Sequence, residues 1–317
     1  MILLASPGQG AQTPGFLQPW LEIPVVADRL AWWSAVTGLD LVRYGTEADA
    51  EEIRDTAVAQ PLLVAAALAV HDALFDGLVR PEGHPYEGSP IQPDAVAGHS
   101  VGELAAAAIA GVLSPEAALL LVRERGRAMA EAAAVTETGM TAVLGGDPEE
   151  VLASIDKHGL TPANVNGAGQ IVAAGAVDRL AEFADEPPAK ARLRPLSVAG
   201  AFHTEYMAPA ADALRRFARG VPAADPRPRL LQNRDGAWIN DGRAFVDRLI
   251  EQVAAPVRWD SCMDGMRETG VSVIIELPPA GTLTGLARRE LKGVELVALK
   301  SPADLGKARE LIQAHAR

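Results

Sequence analysis

Short apolar runs alternate along this chain with longer alanine-rich stretches, and the two textures predict different elements. Ile2-Leu3-Leu4-Ala5 and Ala95-Val96-Ala97 are too short for helices and read as buried strands. Helical stretches follow each of them: one over 61–75, with Pro61 suited to its first turn, and one opening after Ser100 with Glu103-Leu104-Ala105-Ala106-Ala107-Ala108. Ser114-Pro115-Glu116 announces another, in which Ser114 caps and Pro115 takes the first turn; a run to about residue 129 places Arg125 near its end. Strands alternating with helices predict an α/β fold with a parallel sheet.

From about residue 138 to 196 the elements shorten. The pattern predicts strands over 140–144, 163–165, 170–174 and 191–196, with helices over 148–157 and 177–184. Their βαββαβ order is that of a ferredoxin-like unit, a small lobe over 133–197 inserted into a larger one formed by 1–132 and 198–317. Asp185-Glu186-Pro187-Pro188 reads as a turn or loop inside that lobe, because an apolar strand follows at once. The α/β texture then resumes, with a buried strand over 271–277 and a helix over 282–292. We find no internal repeat or low-complexity tract.

Composition excludes several classes of function. A share of 49% hydrophobic residues over 317 positions fits a globular protein with a large core. The net charge of -12 argues against a nucleic-acid partner, since phosphate binding needs a basic stripe. Lys190, Arg192 and Arg194 form one cationic cluster and Arg288, Arg289 and Lys292 another, each readable as a local patch for an acidic partner or as solvated surface. The apolar N-terminal run lacks a basic flank and breaks at Pro7, short of a signal peptide or a membrane span, so a cytoplasmic protein without a membrane partner is expected. Cys262 is the sole cysteine, which excludes an internal disulfide and a cysteine-based metal site. No His and carboxylate cluster has ligand spacing, and the glycines of 7–10 lack the Lys and Ser/Thr of a nucleotide phosphate loop; no metal or cofactor is expected.

The candidate chemistry centres on Gly98-His99-Ser100-Val101-Gly102, which lies between a strand and a helix. This is the pattern of a nucleophile elbow: the glycines permit a turn so tight that a Cβ would strike strand or helix, and the helix start aims N–H groups toward Ser100. The larger lobe is accordingly expected to be α/β-hydrolase-like. An ordinary glycine-rich turn is the competing reading. The nucleophile needs a base, and six histidines are available. His71 falls in a helical pattern, His84 in a Pro/Gly loop, His158 at a helix end and His315 in the C-terminal tail. His99 adjoins Ser100, so its side chain is expected to point away from the nucleophile. His203, in the small-residue loop Gly200-Ala201-Phe202-His203, remains, either as the base or as a structural loop histidine.

Taken together, Pro7-Gly8-Gln9-Gly10-Ala11-Gln12, the Ser100 pentapeptide with Glu103, Arg123-Glu124-Arg125-Gly126, Ala163-Asn164-Val165-Asn166 with Gln170, Gly200-Ala201-Phe202-His203 and Gln252-Val253-Ala254-Ala255-Pro256-Val257-Arg258-Trp259 change the picture. In this order they resemble the malonyl-CoA:acyl carrier protein transacylases over essentially the whole chain. The chain also resembles the acyltransferase domains of modular polyketide synthases. Its length, with no ketosynthase or carrier segment, leads us to expect the discrete enzyme of fatty acid synthesis.

The resemblance implies a ping-pong cycle: Ser100 attacks the thioester of malonyl-CoA with His203 as base, and the phosphopantetheine thiol of an acyl carrier protein then takes the malonyl group. It implies a backbone carbonyl near Gln252 orienting His203, so a Ser-His dyad is expected in place of a triad. It assigns the oxyanion to the backbone N–H groups of Gln9 and Val101, and the malonyl carboxylate to Arg125, whose guanidinium offers two parallel hydrogen bonds. From position alone, Arg125 reads equally as a cation complementing a helix C-terminus. The implied pocket wall comprises Phe202, His99, Met129, Asn164 and Asn166, and Phe202 and Val101 point to malonyl over methylmalonyl. A core role for Phe202 is the alternative.

One departure stands out. Where the family carries Gly-Pro-Gly, this chain has Glu276-Leu277-Pro278-Pro279-Ala280-Gly281, so that loop is expected to avoid the torsions only glycine allows. A trans-acting polyketide synthase acyltransferase, an acyl hydrolase on the same scaffold and a non-catalytic carrier-docking module are the alternative functions. A monomer is expected.

Overall fold

The computed structural model describes residues 1–80 and 88–315, so His84 lies outside the described residues. Its strands are, in chain order, β1 (Ile2–Ser6), β2 (Ala95–Gly98), β3 (Thr138–Gly145), β4 (Thr161–Gly167), β5 (Gln170–Ala176), β6 (Ala191–Pro195), β7 (Arg229–Leu231), β8 (Trp238–Ile239), β9 (Val257–Arg258), β10 (Val273–Glu276) and β11 (Glu295–Ala298). They form two sheets, ordered β11-β10-β1-β2-β7-β8 and β6-β3-β5-β4-β9. The first is parallel except at β8, with Leu4 aligned to Val96 on one side and to Ile275 on the other. All five residues of β1 are buried because helices cover both faces of the sheet, which is why the strand reads as an unbroken apolar run. Alternation decides which core each residue enters: Ile2 and Leu4 join the cluster on one face, Leu3 and Ala5 that on the other.

Several helices differ from the sequence pattern. That expected over 61–75 spans Thr56–Phe75, with the Asp55 carboxylate accepting from the Ala57 N–H as its cap. Pro61 therefore sits inside the helix; a proline in the second turn and one in the first look alike in sequence. This helix is long and apolar enough to cross a membrane, yet 83% of its most apolar window is buried within the fold, as a core helix requires. The helix opening at Pro115 runs to Ala133, which puts Arg125 in its interior and removes the explanation of that residue as a C-terminal cation.

The short elements follow the expected order: β3, helix Pro148–Lys157, β4, β5, helix Val177–Asp185 and β6, with boundaries within two residues of the pattern. Asp185 closes the helix, and the turn begins after it. The sheet takes a further strand, β9, parallel to β4 and contributed by 257–258, far along the chain. Two residues carry no periodic signal, so this strand was not legible. In the loop after β10, the glycine torsion is displaced and not avoided: Gly281 has φ +136°. The buried Glu276 carboxylate organises this loop, accepting from the N–H groups of Gly281, Leu283 and Thr284 and from the Thr284 hydroxyl at 2.7–2.9 Å, where the helix Thr282–Glu290 begins.

Candidate active site

The turn between β2 and the helix Gly102–Ile109 places Ser100 at φ +52°, a left-handed conformation rare for a non-glycine residue. Its flanks admit only glycine. A Cβ on Gly98 would lie 2.0 Å from the carbonyl carbon of Gly102, and one on Gly102 would lie 2.2 Å from the carbonyl oxygen of Ser6. Strand and helix therefore pass in backbone contact, and the serine side chain is thrown outward.

His203 meets it from the segment linking β6 to the rest of the larger sheet. The residue is buried, at φ +62°, with Nε2 2.7 Å from Ser100 Oγ and Nδ1 2.9 Å from the Gln252 carbonyl oxygen. A carbonyl can only accept, so Nδ1 carries the hydrogen and Nε2 presents its lone pair to the serine hydroxyl. The orienting residue is thus Gln252, whose carbonyl oxygen is the nearer contact and whose side-chain Nε2 also lies 3.2 Å from Nδ1, and no carboxylate bonds His203 among the described residues. Burial, then the nearby Arg125 charge, lowers the His203 pKa from 6.5 to about 3, against the opposing bond to Gln252. The imidazole therefore stays neutral, with its Nε2 lone pair free, well into acid.

Arg125 approaches the serine from the interior of its helix and is 1% exposed. Its Nη1 donates to Gln60 Oε1 at 2.6 Å and its Nη2 to Ser100 Oγ at 3.3 Å. Burial lowers its pKa to about 10, partly offset by the charge of Glu103, so the guanidinium is cationic at neutral pH. Among the described residues no carboxylate lies in ion-pair contact with it, in contrast to its neighbour Arg127, which is paired with Glu124 and Glu131. A buried, charged fork without its own carboxylate is costly to maintain and suited to an incoming anion.

A cavity of about 590 Å³ opens in front of Ser100 and His203. Gln9, His99, Met129, Asn164, Asn166 and Phe202 all line it, so both sheets contribute to its wall. His99 does not turn wholly away: it lines the cavity, with Nε2 2.8 Å from Asn166 Oδ1 and its ring 5.6 Å from that of Trp259. The Gln9 side chain is tied back to Thr56 Oγ1, and neither the Gln9 nor the Val101 backbone N–H is hydrogen-bonded within the described residues. Both cationic clusters singled out above are exposed, on β6 and just before it and along the helix Thr282–Glu290 and just after it.

Two neighbours, Gln60 and Asn233, escaped the sequence reading, and a third, Glu103, entered it only as part of the elbow motif. Gln60 joins Arg125 to Gln9 and Met129, and its signal was a single amide in an otherwise apolar helix run. Glu103 is fully buried beneath the elbow, where burial pushes its carboxyl up to about 8. Asn233, after β7, carries no motif that would have found it.

An acyl transferase domain model matches residues 7–307. A malonyl CoA-acyl carrier protein transacylase of Mycobacterium tuberculosis is 53% identical over 96% of this chain and 98% of its own length. That of Escherichia coli is 32% identical over 96% and 97%. A crystal structure of MCAT from Mycobacterium tuberculosis superposes with a TM-score of 0.90 at 51% identity, covering 98% of this chain and 99% of the other. A structure of a type II polyketide synthase acyl carrier protein in complex with its malonyl-transacylase gives 0.90 at 30% identity, with the same coverages. With its serine elbow and histidine on one cavity and a buried arginine bonded to that serine, the chain belongs to the acyl transferase family, alongside the malonyl CoA-acyl carrier protein transacylases.

Proposed function

We propose that this protein transfers a malonyl group from malonyl-CoA to the phosphopantetheine thiol of an acyl carrier protein, supplying fatty acid synthesis. The observation that carries this reading is a paired serine and histidine with a buried guanidinium, free of carboxylate contacts, 3.3 Å from the nucleophilic oxygen. In malonyl-CoA the free carboxylate and the thioester carbonyl are one methylene apart, so a cation that selects this substrate must stand beside the nucleophile.

The cycle this reading implies uses these groups in turn. Ser100 Oγ passes its proton to His203 Nε2 and bonds to the thioester carbon, and the resulting oxyanion is received by the N–H groups of Gln9 and Val101. The C–S bond breaks, the CoA sulfur takes the proton from His203, and a malonyl ester remains on Ser100. In the second half the carrier thiol gives its proton to His203 and attacks the ester, and Ser100 Oγ leaves and recovers that proton. Arg125 holds the carboxylate throughout, with Gln60 fixing one of its arms. Phe202, His99, Met129, Asn164 and Asn166 shape the pocket around the short acyl chain. The protein works as a cytoplasmic monomer with no nucleic-acid or membrane partner. Its parts are a larger lobe, 1–132 and 198–317, and a smaller one, 133–197.

Intact-mass spectrometry with malonyl-CoA tests the reading: a malonyl adduct forms on the protein and is discharged onto added acyl carrier protein. An adduct lost to water at the same rate without carrier would make the protein a hydrolase. The likeness to the polyketide complex favours a second reading in which the carrier serves polyketide synthesis, and discharge onto carriers of each kind separates the two.

The lowered pKa of His203 gives a further expected result. Only the neutral imidazole accepts the serine proton, so a pKa of about 3 in place of 6.5 extends activity toward acid. Single-turnover loading, kcat/KM against pH, stays flat through the ordinary histidine range and declines only near the acid limit of folding. A half-maximal point close to 6.5 would contradict this.

A further inference from the structure

Ser100 holds a backbone conformation that serine disfavours, and something must impose it. The contacts converge on one side chain. Asn233 Oδ1 accepts the Ser100 N–H at 2.6 Å, and Asn233 Nδ2 donates to the Gly98 carbonyl at 2.7 Å. A single amide thus grips the chain on both sides of His99, at the last residue of β2 and at the nucleophile itself. The asparagine is fixed in turn: its own N–H donates to Glu103 Oε1 at 2.7 Å, in the first turn of the elbow helix, and its carbonyl accepts the Arg258 N–H of β9 at 2.8 Å. Behind it Cys262 Sγ donates to the Gln232 carbonyl at 3.3 Å.

We propose that Asn233 is a positioning residue that holds the Ser100 backbone in its left-handed conformation and so aims the hydroxyl at His203. It is 0% exposed and forms no part of the cavity wall, so it acts through Ser100 and touches no substrate. An amide suits the task because it offers an acceptor and a donor on one rigid plane, matching the N–H and C=O it must hold. By taking the Ser100 N–H, Asn233 also removes that group from the donors facing the cavity, which leaves the oxyanion to Gln9 and Val101. Through β9, which lies beside the strand carrying Asn164 and Asn166, the clamp ties the nucleophile's register to the second sheet.

This inference rests on the reading of Ser100 as the acylated nucleophile, and its test keeps the two apart. Malonyl loading is measured for Asn233→Ala and Asn233→Ser, with rates referred to the folded fraction of each protein. Alongside it runs labelling of Ser100 by a fluorophosphonate, which needs the Ser100 and His203 geometry but no malonyl or CoA recognition. Asn233→Ala lowers kcat about 100-fold, as a small displacement of a reacting atom does, with KM within about twofold of the parent. Asn233→Ser keeps one of the two bonds and loses about 10-fold, and decides the matter if the alanine variant does not fold. Fluorophosphonate labelling falls in parallel. Wild-type kcat in the folded serine variant, or a loss confined to KM, overturns the proposal. A parent protein that takes fluorophosphonate but no malonyl group overturns the transacylase reading instead, and the labelling rates still decide on Asn233.

Discussion

Ser100→Ala lowers malonyl transfer to the carrier by about a million-fold and abolishes the mass adduct, because the remaining groups can bind the thioester but cannot form the ester bond. The fold should survive the change. Alanine keeps the Cβ, so the elbow carries the same backbone at position 100, and Asn233 still holds that residue's N–H and the Gly98 carbonyl. What is lost is a hydroxyl placed 2.7 Å from His203 Nε2 and 3.3 Å from Arg125 Nη2. The check is intact mass with malonyl-CoA beside thermal unfolding: no adduct and a nearly unchanged Tm. A variant that still gained a malonyl group would move the nucleophile elsewhere and dissolve the role given to His203.

Arg125→Ala collapses the preference for malonyl-CoA over acetyl-CoA by about 10⁴-fold, the discrimination available to a site built to hydrogen-bond a group its competitor lacks. In the parent protein acetyl-CoA leaves a buried guanidinium with no carboxylate in ion-pair contact, whereas malonyl-CoA supplies one. Removing the guanidinium removes the reward for malonate and the penalty on acetate together, and leaves the carboxylate of malonate to be desolvated without a partner. Loading from acetyl-CoA therefore holds or rises while loading from malonyl-CoA falls, and Arg125→Lys, which keeps the charge without the planar fork, lies between. The measurement is kcat/KM for both thioesters with each variant. An equal fall for both would show that Arg125 supports the serine, with which it also bonds, and does not select the acyl group.

How far the site was legible depended on whether each group announced itself locally. The elbow glycines did, since their spacing around Ser100 is itself the steric requirement that places Gly98 and Gly102 in backbone contact. His203 stood out only by elimination among six histidines and by its place in a family order. Gln60 was legible in principle, as a lone amide in an apolar helix that must find a buried partner. Asn233 was not: its partners in the elbow are more than a hundred residues away, and nothing around it departs from an ordinary post-strand turn.

The sequence by itself determined the elements that alternate in hydropathy and the turn at Ser100, because both follow from interactions within a few residues: the period of apolar positions and the absence of a Cβ at two sites. It also determined the order of the short elements between β3 and β6, and the resemblance that linked distant motifs. Tertiary structure decided the rest. It set Arg125 in the interior of a longer helix with no carboxylate in contact, joined β9 to a sheet otherwise built from another part of the chain, and lowered the His203 pKa by burying it beside a cation. Each of these depends on which groups meet across the fold and on how much water is excluded between them, and neither quantity is written in any local stretch of the chain.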